Sequence, residues 1–437
     1  MNETASSSIA ETLASLEGLV SPYGVVSVTE ATEARFGDRV IQRCLSKVGT
    51  SRPGTGMHRD DHIICGGATF GSADEARLVA IAEGAERYAG RALLHEERIW
   101  ATADELAGQC LEPHRYPRCS TAETDHPDCP VVPFDATASI RWVRGMDLVR
   151  RMLLWVPATM ANYGTERATR AEYFTFPIST GYAVHTDPVE AVVRGIFEVA
   201  ERDSIALLWL QKLPLPRLSP DVHTDAVTDL IAWFERRFMR VYLLDATSDL
   251  GIPTVFCVVA ADHDPRACRF VSAATGRTIA EAAESALVET ADGDELVYSG
   301  DPAADVLDDV GGEIGETSKF MAVRARAHAF DFLLDEGNGV SSGEHATLPE
   351  SPDDTLAVLT DRLSQLGMQA VVVDRTTQEL TEAGLTAMSV VIPDLQPMST
   401  HPRAQFKGHD RLYSAPGRMG YRTLPEEELN PWPQPFA

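Results

Sequence analysis

The sequence predicts an α/β protein, with α+β character, in which helices pack against mixed β-sheets. Two long segments with no proline beyond the first turn predict helices, at Ala76–Arg91 and Asp187–Trp209. Two apolar runs rich in β-branched and aromatic residues predict buried strands, at Val241–Asp245 and Thr254–Ala260. The chain has 437 residues, of which 44% are hydrophobic, so it is long enough to bury a large core around these elements.

Turn and strand signals predict the elements before the second long helix. Ser21–Thr29 predicts a turn followed by a strand, and residues 108–140 form a long connector rich in Pro, Cys and Asp. After this connector, Ile140–Val143 and Leu153–Val156 predict two short paired strands around a turn at Gly145–Asp147.

The second half of the chain predicts three more helices and two more strands. The helices are Ala226–Arg236, Thr278–Glu289 and Thr355–Leu366, and the strands are Ala370–Asp374 and Ala387–Pro393. From Pro397 onward, the chain is rich in Pro, Gly and Arg and is expected to end extended. Pro431, Pro433 and Pro435 stiffen the end into polyproline-like geometry.

The charge balance excludes a protein that coats nucleic acid, and hydropathy bears on membrane binding and location. With 38 Lys+Arg against 65 Asp+Glu, the net charge is −27, and a surface that coats nucleic acid must be basic. No stretch reaches the roughly 18 consecutive apolar residues of a membrane helix, so no membrane function is expected. The N-terminus lacks the basic and apolar regions of a secretory signal, so the expected location is the cytoplasm.

The seven cysteines contain no C-x-x-C pair, which is the usual zinc spacing. Cys110, Cys119 and Cys129 are clustered in the connector. We expect reduced thiols in a loop there, and a zinc or disulfide site is the alternative.

The two long helices share a Glu-x-x-Glu-Arg pattern. Its residues are Glu83, Glu86 and Arg87 in the first helix and Glu198, Glu201 and Arg202 in the second. Residues three apart share a helix face, so each helix directs two carboxylates the same way, and Glu190 lies on the same arc of the second helix. Because the neighbouring residues are apolar, these carboxylates carry a desolvation penalty unless cations meet them.

If the two helices face each other, four carboxylates converge, and this predicts a metal site. Oxygen ligands without His or Cys favour magnesium, calcium or manganese over zinc or copper. A nucleotide fits as well, since proteins usually hold Mg²⁺ with a few carboxylates plus phosphates. The alternative is that both patterns are solvated helix faces with local ion pairs. A redox iron site is disfavoured, because di-iron bundles place His where these patterns place the second Glu.

Both segments resemble signatures of the YcaO family. The first resembles A-x-x-x-A-x-x-E-x-x-E-R-Y, and the second resembles the family's second signature, which ends E-x-x-E-R-D. Further segments similar to the family follow in the same order along the chain. They are Ser179–Ala183, Tyr242–Val259, Ala286–Glu289, Ile392–Pro397 and Pro431–Phe436. The last resembles the Pro-x-Pro-x-Pro tail of family members that cyclise peptides.

The resemblance implies a YcaO-like fold and an azoline-forming peptide cyclodehydratase. Such enzymes use ATP to activate a backbone amide oxygen, so that a Cys, Ser or Thr side chain adds to the amide carbon. By motif, the Mg²⁺ ligands would be Glu83, Glu86, Glu198 and Glu201, and the nucleotide-binding residues would be Glu190, Arg202, Glu289 and Arg87. The tail, with Pro433, Pro435 and Ala437, would order the cyclisation site.

The resemblance also implies partners and a division of the chain. Residues 1–60 would be an entry segment, 61–396 the catalytic domain and 397–437 the Pro-rich tail, all in one structural unit. A precursor peptide would be the substrate, and a separate protein would bind its leader, because the sequence shows no extra domain of that size. A flavin dehydrogenase partner and a homodimer stay open.

Four residues depart from the family pattern. Thr69, Val79 and Thr180 stand where the family commonly has other polar residues, and Ser285 stands where it commonly has Arg. These departures keep a second reading open, in which the chain is a non-catalytic YcaO-like subunit that binds peptide or scaffolds an active partner. Within the family, a thioamide or amidine product is the further alternative, and the Pro-rich tail favours azolines.

Overall fold

The computed structural model describes residues 3–36, 39–49, 64–91, 98–164, 166–298, 303–311, 315–341 and 344–436. Over these ranges helices and strands mix along the chain, and the predicted α/β class is confirmed. The helices are α1 (Glu3–Leu16), α2 (Ala73–Arg91), α3 (Thr121–Thr124), α4 (Ala158–Ala161), α5 (Pro188–Leu210), α6 (Asp225–Glu235), α7 (Ile279–Tyr298), α8 (Glu316–Ala322), α9 (Asp331–Leu334), α10 (Pro352–Gln365), α11 (Gln378–Glu382) and α12 (Asp410–Arg418).

The strands are β1 (Val26–Phe36), β2 (Arg39–Val48), β3 (Ile64–Thr69), β4 (Arg98–Ala101), β5 (Ile140–Asp147), β6 (Met152–Pro157), β7 (Tyr182–His185), β8 (Arg217–Leu218), β9 (Arg240–Asp245), β10 (Thr254–Ala260), β11 (Arg269–Thr275), β12 (Val340–Ser341), β13 (Val371–Asp374) and β14 (Thr386–Val391). Within the described ranges they form three sheets. The first has the order β1-β2-β3, the second β11-β10-β9-β8-β12, and the third β4-β5-β13-β14-β7 with β6 paired to β5. Every pairing is antiparallel except β8 with β12.

Helix α2 packs on the first sheet through small residues. Ala76 and Ala80 are fully buried, and a Cβ added to Gly67 of β3 would lie 2.2 Å from the Ala76 carbonyl oxygen. The Ser46 hydroxyl of β2 donates to the Ala80 carbonyl oxygen at 2.7 Å. This close approach fixes the helix that carries the first Glu-x-x-Glu-Arg copy.

Helix α5 lies at the centre of the molecule. Its N-terminus is capped by Asp187, whose carboxylate accepts hydrogen bonds from the backbone N–H groups of Val189 and Glu190, with Pro188 in the first turn. Ile196 packs in one apolar cluster with α10 and β14, and Leu207 packs in another with β10. Burial on both sides holds the second Glu-x-x-Glu-Arg copy between the second and third sheets.

The chain after Pro397 was predicted to end extended, and this is wrong for α12. The composition is poor for a helix, but a buried ion network holds it. The Arg411 guanidinium donates to both carboxylate oxygens of Asp203 on α5, at 2.9 and 2.6 Å, and to Asp249 at 2.9 Å. Asp203 also accepts the Gln396 backbone N–H at 2.8 Å. These tertiary contacts override the weak local propensity.

The turn predicted at Gly145–Asp147 is also wrong, because β5 continues through Asp147 and the chain turns after it. The Asp147 carboxylate accepts the backbone N–H groups of Val149 and Arg150 at 2.9 and 2.8 Å, which stabilises the later turn. Gly145 lies within the strand. A Cβ at this position would approach a methyl carbon of Val371 to 2.5 Å, so a larger residue does not fit there.

The connector cysteines do not form one cluster. Cys110 is buried against the third sheet, while Cys119 and Cys129 pack in a separate apolar cluster with Phe406. All seven cysteines are free thiols in this structure. Of the helices that the structure describes, none is long and apolar enough to span a membrane.

Replacing Arg411 with Ala is expected to lower the free energy of unfolding by about 3–5 kcal/mol, because it leaves Asp203 buried without its cation. Urea denaturation measures this loss. The matched control is Arg422→Ala, which removes an ion pair to Glu428 whose side chains are 74% and 47% exposed and which should cost at most about 1 kcal/mol. Equal losses in the two variants would contradict the prediction.

Candidate active site

The first half of the site is the carboxylate pair on α2. Glu83 accepts the backbone N–H of Gly66 at 2.7 Å and pairs with the Arg87 guanidinium at 3.1 Å. Glu86 lies 3.5 Å from the same guanidinium. Both carboxylates are partly buried, and both form ion pairs with the same arginine.

The second half is the corresponding pair on α5. Glu198 accepts the backbone N–H of Gly181 at 3.0 Å and lies 3.8 Å from Arg202, and Glu201 lies 3.9 Å from Arg202. Gly181 has a φ of +87°, and a Cβ there would approach the Val390 carbonyl oxygen to 2.1 Å. Only glycine therefore presents its N–H to Glu198 in this turn.

The two halves meet electrostatically, as the facing-helix prediction requires. Burial and then the Glu198 carboxylate raise the pKa of Glu86 well above its usual range. Burial also raises the pKa of Glu198, against the opposing effect of Arg202. For Glu201, burial together with Glu289 and Glu198 outweighs Arg202 and a hydrogen bond from the Thr275 backbone, and raises the pKa to about 8. The site thus holds more acid than two arginines can neutralise.

This donor set fits a hard divalent cation. All the converging side chains offer carboxylate oxygens, and burial raises the pKa values of Glu86, Glu198 and Glu201, which indicates negative charge without sufficient compensation. Within the described residues, no three His, Cys, Asp or Glu side chains are already gathered in a ligand cluster. The carboxylates form ion pairs with Arg87 and Arg202 and accept hydrogen bonds from backbone N–H groups. Binding of a cation would require them to turn away from these partners. Their assignment as metal ligands stays a prediction.

Glu190 lies two to three helical turns before the α5 pair and forms ion pairs with other arginines. It is 5% exposed, and the Arg277 guanidinium donates to both of its carboxylate oxygens, at 3.2 and 2.5 Å. Arg194 donates to it at 3.0 Å. Arg277 also donates to the Pro349 carbonyl oxygen at 3.0 Å. The sequence analysis missed Arg277, and no local signal marks it. The nucleotide-binding role of Glu190 stays a prediction.

The C-terminal tail is buried and ends beside α7. Pro433 and Pro435 are both buried, and the carbonyl oxygens on either side of them are fixed: Trp432 accepts from Trp209 at 2.9 Å and Phe436 from Thr317 at 2.7 Å. Pro435 and Phe436 line an open cavity together with Glu289 of α7 and residues of β11. The structure therefore brings the tail to a predicted nucleotide residue. Ala437, the third tail residue of the prediction, lies outside the described residues.

The four departures from the family pattern contribute no charge around the site. Thr69 accepts the backbone N–H of Gly71 at 2.9 Å, and Val79 is 42% exposed on α2. Thr180 directly precedes Gly181, and Ser285 is exposed on α7 one turn before Glu289.

The layered sheets and the two carboxylate-bearing helices define an α/β protein with a candidate site for a nucleotide and a divalent cation. The chain belongs to the YcaO family: residues 68–396 match the family model described as YcaO cyclodehydratase, ATP- and Mg²⁺-binding. The resemblance in the motifs is thereby confirmed.

Solved structures support the fold. A structure described as a heterocyclase in complex with substrate and cofactor has a TM-score of 0.82 at 21% identity, covering 98% of this chain and 57% of that chain. The heterocyclase TruD has a TM-score of 0.67 at 22% identity, covering 82% and 50%. YcaO from Methanopyrus kandleri bound with AMPPCP and Mg²⁺ has a TM-score of 0.63 at 18% identity, covering 89% and 91%.

A curated relative matches a shorter part of this chain. It is an uncharacterized protein in the tfuA 3′ region of Rhizobium leguminosarum bv. trifolii, 34% identical over 124 residues, which are 28% of this chain and 29% of the relative. The chain thus matches less than two thirds of this relative and of the first two heterocyclase chains.

In the absence of ligands, stability is expected to fall as the pH rises toward 8. The folded protein keeps a proton on Glu201 between its ordinary pKa of 4.5 and its raised pKa of about 8, while the unfolded chain releases it. The free energy of unfolding therefore declines by about 1.4 kcal/mol per pH unit for each proton retained.

Urea titrations from pH 5 to pH 8 measure this slope, and Glu201→Gln should flatten it. Glu235→Gln is the control, because Glu235 is exposed at the end of α6, away from the site. An unchanged slope in Glu201→Gln would contradict the prediction.

Proposed function

We propose that this chain is an ATP- and Mg²⁺-dependent enzyme that activates backbone amides of a peptide and cyclises Cys, Ser or Thr residues to azolines. The observation that carries the proposal is the meeting of the Glu86 and Glu198 carboxylates, whose pKa values are raised by burial. Carboxylates are costly to bury without a cation, so such a site is best explained by a ligand that brings positive charge.

The reaction balances as a dehydration driven by ATP. The side-chain sulfur or oxygen adds to the carbon of the preceding amide, and the bond from that carbon to the amide oxygen breaks. The oxygen leaves as phosphate, and the thiol or hydroxyl proton and the amide proton pass to solvent. Phosphorylation makes the amide oxygen a good leaving group, which is the contribution of ATP.

The charges of the site residues determine their proposed roles. Glu83, Glu86, Glu198 and Glu201 would hold Mg²⁺, which neutralises charge on the nucleotide phosphates. Arg87 and Arg202 become available to phosphate oxygens once their glutamates turn to the cation. Glu190 and Glu289 would contact other parts of the nucleotide, as the family motifs imply.

The tail residues Pro433, Pro435 and Ala437 would shape the cyclisation site. Burial of the two prolines and the anchoring of Phe436 by Thr317 support this role. The entry segment 1–60, the domain 61–396 and the tail 397–437 would then act as one unit.

The substrate would be a precursor peptide whose leader is bound by a separate protein. One structural neighbour, with a TM-score of 0.61 at 14% identity, is the E. coli microcin synthetase McbBCD complex, and another is that complex with pro-MccB17 bound. A flavin dehydrogenase would be needed to oxidise azolines to azoles. A cytoplasmic location completes the proposal.

A scaffold without catalysis is the second candidate. It is favoured by Ser285, which leaves an exposed hydroxyl where the family commonly has Arg. Retention of all four converging carboxylates opposes it, because a disused site gains nothing from partly buried charge.

ATP binding separates the two candidates. We expect ATP to bind to the wild-type chain only when Mg²⁺ is present, and Glu198→Ala to weaken this binding by about tenfold or more, because the variant removes a converging carboxylate. Isothermal titration calorimetry measures both.

Glu235→Ala is the control and should bind Mg²⁺ and ATP as the wild type does. No ATP binding at millimolar concentration, repeated with candidate partner proteins, would favour the scaffold. ATP binding that is equal in Glu198→Ala and the wild type would exclude the proposed carboxylate site.

A further inference from the structure

Tyr163 lies beside the candidate active site, although no sequence motif marks it. It follows α4, and its ring packs against α2 at Gly90, where an added Cβ would approach a ring carbon to 2.2 Å. The backbone N–H of Gly164 donates to the Gly90 carbonyl oxygen at 3.3 Å. Because Gly90 has no Cβ, the ring can lie on the helix about one turn after Arg87.

The Tyr163 hydroxyl forms hydrogen bonds with both the backbone and the side chain of Arg87. It donates to the Arg87 carbonyl oxygen at 3.4 Å and accepts a hydrogen bond from the Arg87 guanidinium. A phenolic hydroxyl has one donor and free acceptor lone pairs, so it can make both bonds at once. The same guanidinium forms the ion pairs with Glu83 and Glu86, at 3.1 and 3.5 Å.

The ring of Tyr163 also contacts the second half of the site. It packs edge-on against Tyr182 of β7, with the ring centroids 5.2 Å apart and the ring planes at 86°. Tyr182 directly follows Gly181, whose N–H donates to Glu198. The Tyr182 hydroxyl donates to the Ala161 carbonyl oxygen, which fixes its ring. Tyr163 is thus held between α2 and the strand that begins beside Glu198.

Tyr163 differs in charge from the carboxylate partners of Arg87. Burial raises the pKa of the Tyr163 phenol above its ordinary value, against the opposing effect of Arg87, so the hydroxyl stays neutral at physiological pH. The protein ligands of magnesium and calcium are mainly carboxylate and carbonyl oxygens, and a neutral phenol is not among them. When Glu83 and Glu86 turn to the cation, the Tyr163 hydroxyl therefore stays bonded to Arg87.

We infer that Tyr163 is a positioning residue that keeps the Arg87 guanidinium in place for the nucleotide phosphates while the site carboxylates hold the cation. This inference rests on the proposed function, which supplies ATP and Mg²⁺. An unrestrained guanidinium loses rotamer freedom when it binds phosphate, whereas a guanidinium already held by Tyr163 loses less. The tyrosine therefore strengthens ATP binding through Arg87.

Calorimetry on the full chain tests the inference with Tyr163→Phe, which removes the hydroxyl and keeps the ring. With Mg²⁺ present, ATP should bind to this variant about fivefold more weakly than to the wild type, because one hydrogen bond is lost. Mg²⁺ alone should bind equally to both proteins, because the phenol is not a ligand.

Tyr116→Phe is the matched control. Tyr116 is buried in the apolar cluster on the third sheet, where its ring stacks on Phe174 with centroids 5.6 Å apart. Its hydroxyl donates to the Leu111 carbonyl oxygen at 2.8 Å. This variant also removes a hydroxyl bonded to a carbonyl oxygen, and it should bind ATP as the wild type does.

Arg87→Met separates a positioning role from a purely structural one. It keeps the length of the side chain and removes the guanidinium, so Tyr163→Phe should weaken ATP binding no further in this background. In the ligand-free chain, urea denaturation of the wild type, both single variants and the double variant measures the same coupling. The double variant should lower the urea midpoint by less than the sum of the single variants.

The outcomes separate this inference from the proposed function. Weaker ATP binding in Tyr163→Phe that disappears in the Arg87→Met background, with Mg²⁺ binding unchanged, supports the inference. ATP binding to the wild type with no loss in Tyr163→Phe, an equal loss in Tyr116→Phe, or additive losses with Arg87→Met overturns the inference and leaves the ATP-dependent site standing. No ATP binding to the wild type rejects the proposed function, and the role of Tyr163 is rejected with it.

Discussion

The structure depends on a charge imbalance between two helices. Four carboxylates on α2 and α5 share two arginines, Arg87 and Arg202, and none of the ion pairs to Arg202 is shorter than 3.8 Å. Separating the helices would expose these carboxylates to water and remove their desolvation cost, so apolar packing must hold the helices in place. On α2 the small residues Ala76, Ala80 and Gly84 permit that packing, and on α5 the apolar faces on both sides supply it. Packing energy thus maintains a site that electrostatics alone would open.

Helix α5 also links this site to the C-terminal segment. Consecutive helix residues point about 100° apart, so Glu201, Arg202 and Asp203 face different neighbours. Glu201 accepts a hydrogen bond from the Thr275 backbone, and Arg202 forms ion pairs with the site carboxylates. Asp203 forms an ion pair with Arg411, and both of these side chains are at most 1% exposed. One turn of helix therefore sets the positions of β11, the charged site and α12 together. A shift of α5 on ligand binding would be transmitted to the segment that leads into the tail.

Local patterns predicted the elements that local chemistry determines. The helices carrying Glu83 and Glu198 followed from composition and spacing, while the use of their carboxylates as metal ligands stays a prediction. Two of the misses are non-local. Arg277 reaches Glu190 from 87 residues away, and Arg411 reaches Asp203 from 208 residues away. No pattern within a helical window contains such pairs. The strand signal of β11 is weak because Ser272, Ala273 and Ala274 are poor strand formers.

The composition of the proline-rich segment 431–436 suits its place beside the site. A chain that enters an apolar cavity without joining a sheet must satisfy each buried N–H, and proline has none. Alternating prolines halve the number of donors at 431–436, and the carbonyl oxygens of Trp432 and Phe436 find Trp209 and Thr317. The tail can thus be buried beside Arg269, Phe270 and Val271 of β11 without joining the sheet.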